Sequence, residues 1–375
     1  MACLGKTTAS QSIATNCGTI NYEKVARVKV NKKAEVQPAG EKTRMQMADI
    51  ARMAGVSVAT VSRALSGSTL VNAKTRVRVS DLARSLNYSI NIGAQNLRLK
   101  QNKTVAVVVP YDAAARQHLS DPFFLSMLGS LADALTDRDY DMLVSRVDAD
   151  RLDNVASLVD SGRAIGVILI GQWHHHDQLN ELARRRIPLA VWGAKLPQQF
   201  YCTVGSDNVT GGRLATQHLL AQGRRRIVFL GDRNLPEVSQ RFDGYVDALR
   251  RKRVPHAEEL IIAADFTAGG GERAVTDLLA RGIRFDALFA ASDLLAMTAI
   301  NVLRRASIHV PHDVAIVGYD DIALAPHFHP PLTTVRQPVD VAGHALVDVL
   351  TKIIAGSNPE SVLLPTQLVT RGTSI

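Results

Sequence analysis

Cysteine is nearly absent: Cys3, Cys17 and Cys202 are the only three in 375 residues, and no two form a Cys-x-x-Cys pair. Such spacing offers no disulfide framework and suits a reducing compartment. No apolar run approaches the roughly 18 residues that a membrane helix needs. The N-terminal stretch also lacks the apolar core, roughly 7–15 residues long, of a secretion signal. A cytoplasmic protein with no membrane partner is therefore expected. Signs of catalysis are missing as well. No serine–histidine or paired-carboxylate grouping stands out, and Gly269-Gly270-Gly271 does not follow the GxGxxG pattern of a dinucleotide site. His174, His175 and His176 are consecutive, so a helix would point them in different directions, and no Cys or carboxylate framework joins them. Neither an enzyme, a cofactor nor a metal is expected.

A charge excess is present, but only at one end. The formal net charge is +9, yet residues 105–375 carry 27 Lys and Arg against 30 Asp and Glu. Residues 1–104 hold seventeen basic residues against five acidic ones. A basic head on a near-neutral body fits phosphate contact, although a basic tail would raise the same number.

Within that head lies MADIARMAGVSVATVSR, residues 47–63. Ile50 and Ala54 give a first helix its buried face, and Gly55 permits a left-handed turn at little steric cost. Ser57 is placed to cap a second helix, with Val61 and Leu65 packing inward. Val58, Ala59, Ser62 and Arg63 would then face outward, small residues and an arginine suited to close approach to base edges in a major groove. An ordinary helical hairpin has the same short pattern. A third helix is expected over 73–86, capped by Asn72 and holding Val77, Leu82 and Leu86 in the core.

From residue 104 the texture changes. TVAVVVP reads as a buried parallel strand, and comparable runs recur at 141–147, 165–170, 189–192, 226–230, 287–291 and 314–317. Helical stretches at 124–135, 211–220, 241–250, 272–280 and 294–304 alternate with most of them. That alternation indicates doubly wound α/β lobes, which bind ligands at the carboxyl ends of their strands.

The ordered motifs MADIARMAGVSVATVSRAL, VNAKTRVRV, LNYSINIGAQNL, DPFF, SDNVTGGRLATQHL, QRFDGYVDAL, VGYDDIALA and PPLTTVRQP together resemble the lactose- and galactose-repressor family of bacterial regulators. The resemblance covers residues 45–372. It implies an all-α helix-turn-helix head with a hinge, and an α/β two-lobed core like periplasmic sugar-binding proteins. The corresponding divisions are an extension over 1–42, the head over 43–88, a hinge over 89–103 and the core over 104–375. One lobe would combine 104–205 with 337–365, the other 206–336 with 366–375. The implied protein is a homodimeric repressor that binds a near-palindromic double-stranded operator and answers to a sugar-like effector. The chain ends without a heptad extension, which also points to a dimer.

Residue by residue, the resemblance assigns operator-base choice to Val58 and Ala59. Thr60, Ser62 and Arg63 fall at other groove-facing positions, and Ser57 at a phosphate contact. Arg63 suits a bidentate contact to guanine, with a phosphate contact as the competing reading. Leu97 aligns with a hinge leucine that wedges into the minor groove, although Ile90 and Gly93 depart from the family's hinge pattern. In the cleft, Arg241 and Asp320 match ligand contacts, with a salt bridge across the lobes as the alternative. Phe266, Ser292 and Trp192 are further effector candidates, while Asp293 is expected to cap the following helix. Gly193 stands where some members carry a polar ligand contact. A transport receptor or an enzyme would use a body of this kind, but neither accounts for the head.

Overall fold

A computed structural model describes residues 46–65, 68–86, 102–111, 119–148 and 151–375. The chain divides into two units, residues 1–90 and 91–375.

In the first unit, helices α1 (Met47–Ala54), α2 (Val58–Leu65) and α3 (Ala73–Ser85) share one small core. The Asp49 carboxylate accepts from the Gln46 backbone N–H at 3.0 Å, part of a reciprocal cap that starts α1. The helix stops at Gly55, whose φ of 63° is the left-handed conformation that a Cβ opposes. The Val56 N–H then returns to the Ala51 carbonyl at 3.0 Å. Ser57 Oγ accepts from the Thr60 N–H at 3.1 Å and opens α2. Ile50, Ala51, Ala54, Val61 and Ala64 are buried, and Leu65 packs against them.

The third helix corrects one expectation. Asn72 does cap it, accepting from the Lys74 N–H at 2.8 Å. Val77, however, is 59% exposed, and Val79 is buried with Ala83 one turn later. Two positions on a helix differ by about 200°, so Val77 and Val79 cannot share a face. Contact with α1 and α2 selects the Val79 face, and Arg78 anchors it by donating to the Ala54 carbonyl at 3.0 Å.

The second unit contains two six-stranded sheets. In the first, strands β1 (Thr104–Tyr111), β2 (Asp141–Asp148), β3 (Gly166–Ile170), β4 (Leu189–Trp192), β5 (Cys202–Ser206) and β11 (Val362–Leu364) run parallel in the order β11-β5-β4-β3-β1-β2. Helices α4 (Pro122–Thr136) and α11 (Val339–Ile354) cover one face, and α5 (Asn154–Asp160) and α6 (His176–Arg184) the other. Coverage on both faces explains why residues 105–109 are continuously apolar rather than alternating.

The second sheet has the order β12-β10-β9-β8-β6-β7. Its strands are β6 (Ile227–Leu230), β7 (Ile261–Ile262), β8 (Ala287–Ala290), β9 (Ala315–Asp320), β10 (Thr334–Arg336) and β12 (Gln367–Val369), the last antiparallel to β10. Helices α7 (Asn208–Ala221) and α8 (Pro236–Arg251) pack on one face, α9 (Ala268–Ala280) and α10 (Asp293–Arg305) on the other. The chain crosses between the lobes three times, after β5, after β10 and after β11. Among the described residues, no helix is long and apolar enough to cross a membrane.

Candidate effector cleft and DNA-reading helix

The carboxyl ends of both sheets face a cleft of about 650 Å³, counting space open to solvent. One lobe contributes Asp121, Phe123, Phe124, Gln172, Trp173 and Trp192. The other contributes Leu235, Glu237, Arg241, Phe266, Ser292 and Asp320, with Gln337 from the second crossover. The structure therefore gathers Trp192, Arg241, Phe266, Ser292 and Asp320 around one space. Asp121 lies in the DPFF motif, whereas Gln172, Trp173 and Glu237 have no motif; their one signal is a place just beyond a strand's carboxyl end.

Arg241, on α8, is only 6% exposed. Its Nε donates to Asn208 Oδ1 at 2.9 Å, and one terminal nitrogen donates to the Ala291 carbonyl at 2.5 Å. The guanidinium lies over the Tyr319 ring, and the Tyr319 hydroxyl donates to the same Asn208 oxygen at 3.2 Å. Gly212 permits this arrangement, because a Cβ there would run into the Arg241 backbone. Among the described residues Arg241 and Asp320, which belong to the same lobe, do not form an ion pair with each other.

Asp320 and Asp321 end β9 with φ of 126° and 59°, conformations that non-glycine residues rarely adopt. The surroundings hold them there. Asp321 is paired with Arg336 at 2.6 Å and with Arg371 at 2.7 Å. Asp320 accepts from Gln337 Nε2 at 2.7 Å, and Gln337 in turn accepts from Ser206 Oγ at 2.8 Å. A hydrogen-bonded chain thus runs from Asp320 to the end of β5 in the other lobe. Burial pushes the Asp320 carboxyl up to about 7, helped by Asp121 and opposed by Arg241 and the Gln337 amide.

The cap of α10 is Ser292 rather than the expected Asp293. Ser292 has extended backbone, and its Oγ accepts from the Leu295 N–H at 3.2 Å, so it is the cap of α10. Asp293 is the first helical residue and fully buried. It accepts from Thr334 Oγ1 at 2.5 Å and from the Ile322 N–H at 2.9 Å, pinning β10 and the loop after β9. Burial and the nearby Asp320 push its carboxyl well above the usual range. Trp192 is buried, with its ring 6.3 Å from that of Phe123, and Phe266 is half-buried between the two helical layers of its lobe.

No group of three or more His, Cys, Asp or Glu is placed to hold a metal ion among the described residues. His176 Nδ1 instead meets the Tyr201 hydroxyl at 2.9 Å.

On α2 in the first unit, Ser57, Val58, Ala59 and Arg63 are exposed, and Thr60 and Ser62 are partly buried. The Ser57 and Thr60 hydroxyls hydrogen-bond each other at 2.8 Å. Leu97, with Ile90 and Gly93, lies outside the described residues.

A helical head with a helix-turn-helix, joined in one chain to a two-lobed body with a central cleft, defines the class of ligand-responsive DNA-binding regulators. Residues 46–91 match the model for bacterial regulatory proteins of the lacI family, and residues 216–374 that for a periplasmic binding protein-like domain. The HTH-type transcriptional regulator CelR of Thermobifida fusca is 34% identical over 332 residues, 86% of this chain and 96% of that protein. A solved CelR–cellobiose complex superposes with a TM-score of 0.67 at 31% identity, covering 88% of this chain and all of that one. The lac repressor dimer bound to operator and an anti-inducer gives 0.77 at 26% identity, covering 88% and 99%. The chain belongs to the LacI family. It is a DNA-binding transcriptional regulator and not an enzyme.

Proposed function

We propose that this protein is a homodimeric cytoplasmic repressor that binds a near-palindromic operator through α2 and changes its affinity when a sugar occupies the cleft. Val58 and Ala59 have no side-chain donors or acceptors, so they read thymine methyls or local shape. Arg63 supplies the polar base contact, Ser57, Thr60 and Ser62 support docking, and Leu97 wedges the operator centre. In the cleft, Arg241 and Asp320 hydrogen-bond the effector, Ser292 adds a polar contact, and Phe266 and Trp192 pack against its apolar faces. The supporting observation is the aromatic-walled cleft with a fixed arginine and a strained aspartate, drawn from both lobes. The cellobiose bound to CelR favours a sugar over other small molecules.

Selection of operator sequences from a random DNA library, with and without added sugars, tests this reading. The expected result is a two-fold site whose occupancy changes with one sugar class. Weak, salt-sensitive binding without sequence preference would overturn it.

A further inference from the structure

The three crossovers between the lobes are bonded to one another. Ser206, which ends β5 at the first, donates through Oγ to Gln337 Oε1 at the second, 2.8 Å away. The Asp207 N–H donates to the Leu364 carbonyl at 2.9 Å, and Thr366 Oγ1 donates to the Asp207 carbonyl at 3.2 Å. Those two bonds join the first crossover to the third.

Asp321 gathers the other ends. Its carboxylate oxygens accept from different arginines, Oδ2 from Arg336 Nε at 2.6 Å and Oδ1 from a terminal nitrogen of Arg371 at 2.7 Å. Arg336 is the last residue of β10, one position before the second crossover. Arg371 follows β12, the strand that receives the third crossover and pairs with β10. The other terminal nitrogen of Arg371 donates to the Leu332 carbonyl at 2.8 Å and fixes the guanidinium. The Asp321 side chain is only 6% exposed, so its charge depends on those two partners.

Asp320, the residue before it, lines the effector cleft, and Asp321 does not. Both have positive φ, and such backbone persists only where its surroundings over-determine it. The arginines supply the charged constraints. Gln337 supplies neutral ones, its backbone N–H donating to the Asp320 carbonyl at 3.2 Å and its side chain to Oδ1 at 2.7 Å. These constraints come from segments that enter or leave a crossover.

We infer that Asp321 is a positioning residue that locks the conformation of Asp320 to the arrangement of the crossovers. Rearrangement of the lobes then moves the Asp320 carboxylate, and a ligand held by Asp320 acts on both arginines. The effector half of this rests on the reading that Asp320 contacts the ligand; the linkage of the crossovers does not.

The test is residue-resolved hydrogen exchange of the ligand-free full chain, comparing wild type with Asp321→Asn. Asparagine has the same shape and tolerates positive φ, so the variant removes the charge and leaves the backbone. Two amides report on the crossovers: Gln337, bonded to Asp320, and Asp207, bonded to Leu364 and tied to Asp321 only through the crossovers. Both should exchange about tenfold faster or more. Val167 and Ala291, bonded within the two lobe cores, should accelerate less. Arg371→Gln removes one arm, should act in the same direction to a smaller extent, and decides the matter if Asp321→Asn does not fold. Acceleration of Gln337 without Asp207 would overturn the inference. So would one common factor for all four amides, the mark of a residue that only adds stability.

Operator titrations with cellobiose as the probe give a second readout. Where cellobiose changes wild-type operator affinity, Asp321→Asn should shrink that change by about fivefold or more. An undiminished response would overturn the coupling. If wild type ignores cellobiose, the choice of sugar fails, and the Asp207 amide alone decides the role of Asp321.

Discussion

The guanidinium carbon of Arg241 lies over the Tyr319 ring, 3.8 Å from its centroid. Both side chains converge on Asn208 Oδ1. A buried cation is thus oriented by a ring face and two neutral acceptors, with the Glu237 and Asp320 carboxyls near enough to feel its charge. This leaves its remaining donor capacity for something in the cleft.

Asn208→Ala should therefore act on effector affinity as well as stability. It leaves the Arg241 Nε–H without its acceptor in a buried site, at a cost of about 1–3 kcal/mol. Urea unfolding should report that loss, and calorimetry with the effector should show weaker binding. Wild-type affinity in Asn208→Ala would argue against an oriented Arg241.

Effector binding should depend on pH near neutrality. Folding raises the Asp320 carboxyl to about 7, so its ionised form costs stability that grows as pH rises through that value and vanishes well below the ordinary Asp pKa. Asp121 faces it with like charge, Arg241, the Gln337 amide and the Asp293 backbone favour its ionised form, and Asp320 in turn helps raise the buried Asp293 carboxyl. Hydroxyls donating to the carboxylate favour ionisation and draw the pKa back down. Affinity should rise about tenfold from pH 6 to pH 8, with proton release visible as buffer-dependent heat. Asp320→Asn should flatten the profile.

The two glycines of α7 are not interchangeable with alanine. A Cβ on Gly212 would meet the Arg241 backbone, and one on Gly211 the Tyr319 ring and hydroxyl. Gly212→Ala should destabilise by about 1–3 kcal/mol or more through overpacking. Thermal unfolding measures it, and retention of wild-type Tm would mean that α7 and α8 can separate freely.

For the head, Ser57→Ala should cost about 0.5–2 kcal/mol by removing the cap of α2. Arg63→Ala should cost about 1–3 kcal/mol of discrimination at one base position. Binding titrations against single-base operator variants distinguish the two. Ser57→Ala should weaken all sites alike, and Arg63→Ala should flatten preference at one.

The helix-turn-helix was readable because its chemistry is local. A glycine turn, a serine cap and apolar residues at helical spacing act within a few residues of one another. Strands β1, β3 and β4 were also readable, since burial on both faces leaves a continuous apolar run, while the edge strand β2 showed only a short apolar stretch. β5, β7, β10, β11 and β12 were not, because they are short and exist through pairing with distant strands.

Sequence alone determined the order of head and body, the alternation of strand and helix, and the polar residues at strand ends. Tertiary structure decided which of those residues do what. It chose Val79 over Val77 through the faces of α1 and α2. It made Ser292 a cap and turned Asp293 into a buried clasp on β10. It also brought Gln172 and Glu237, 65 positions apart, to the same cleft. Helical and strand periods are carried by neighbours in the chain, but contacts between distant residues exist only when every surrounding group has been placed.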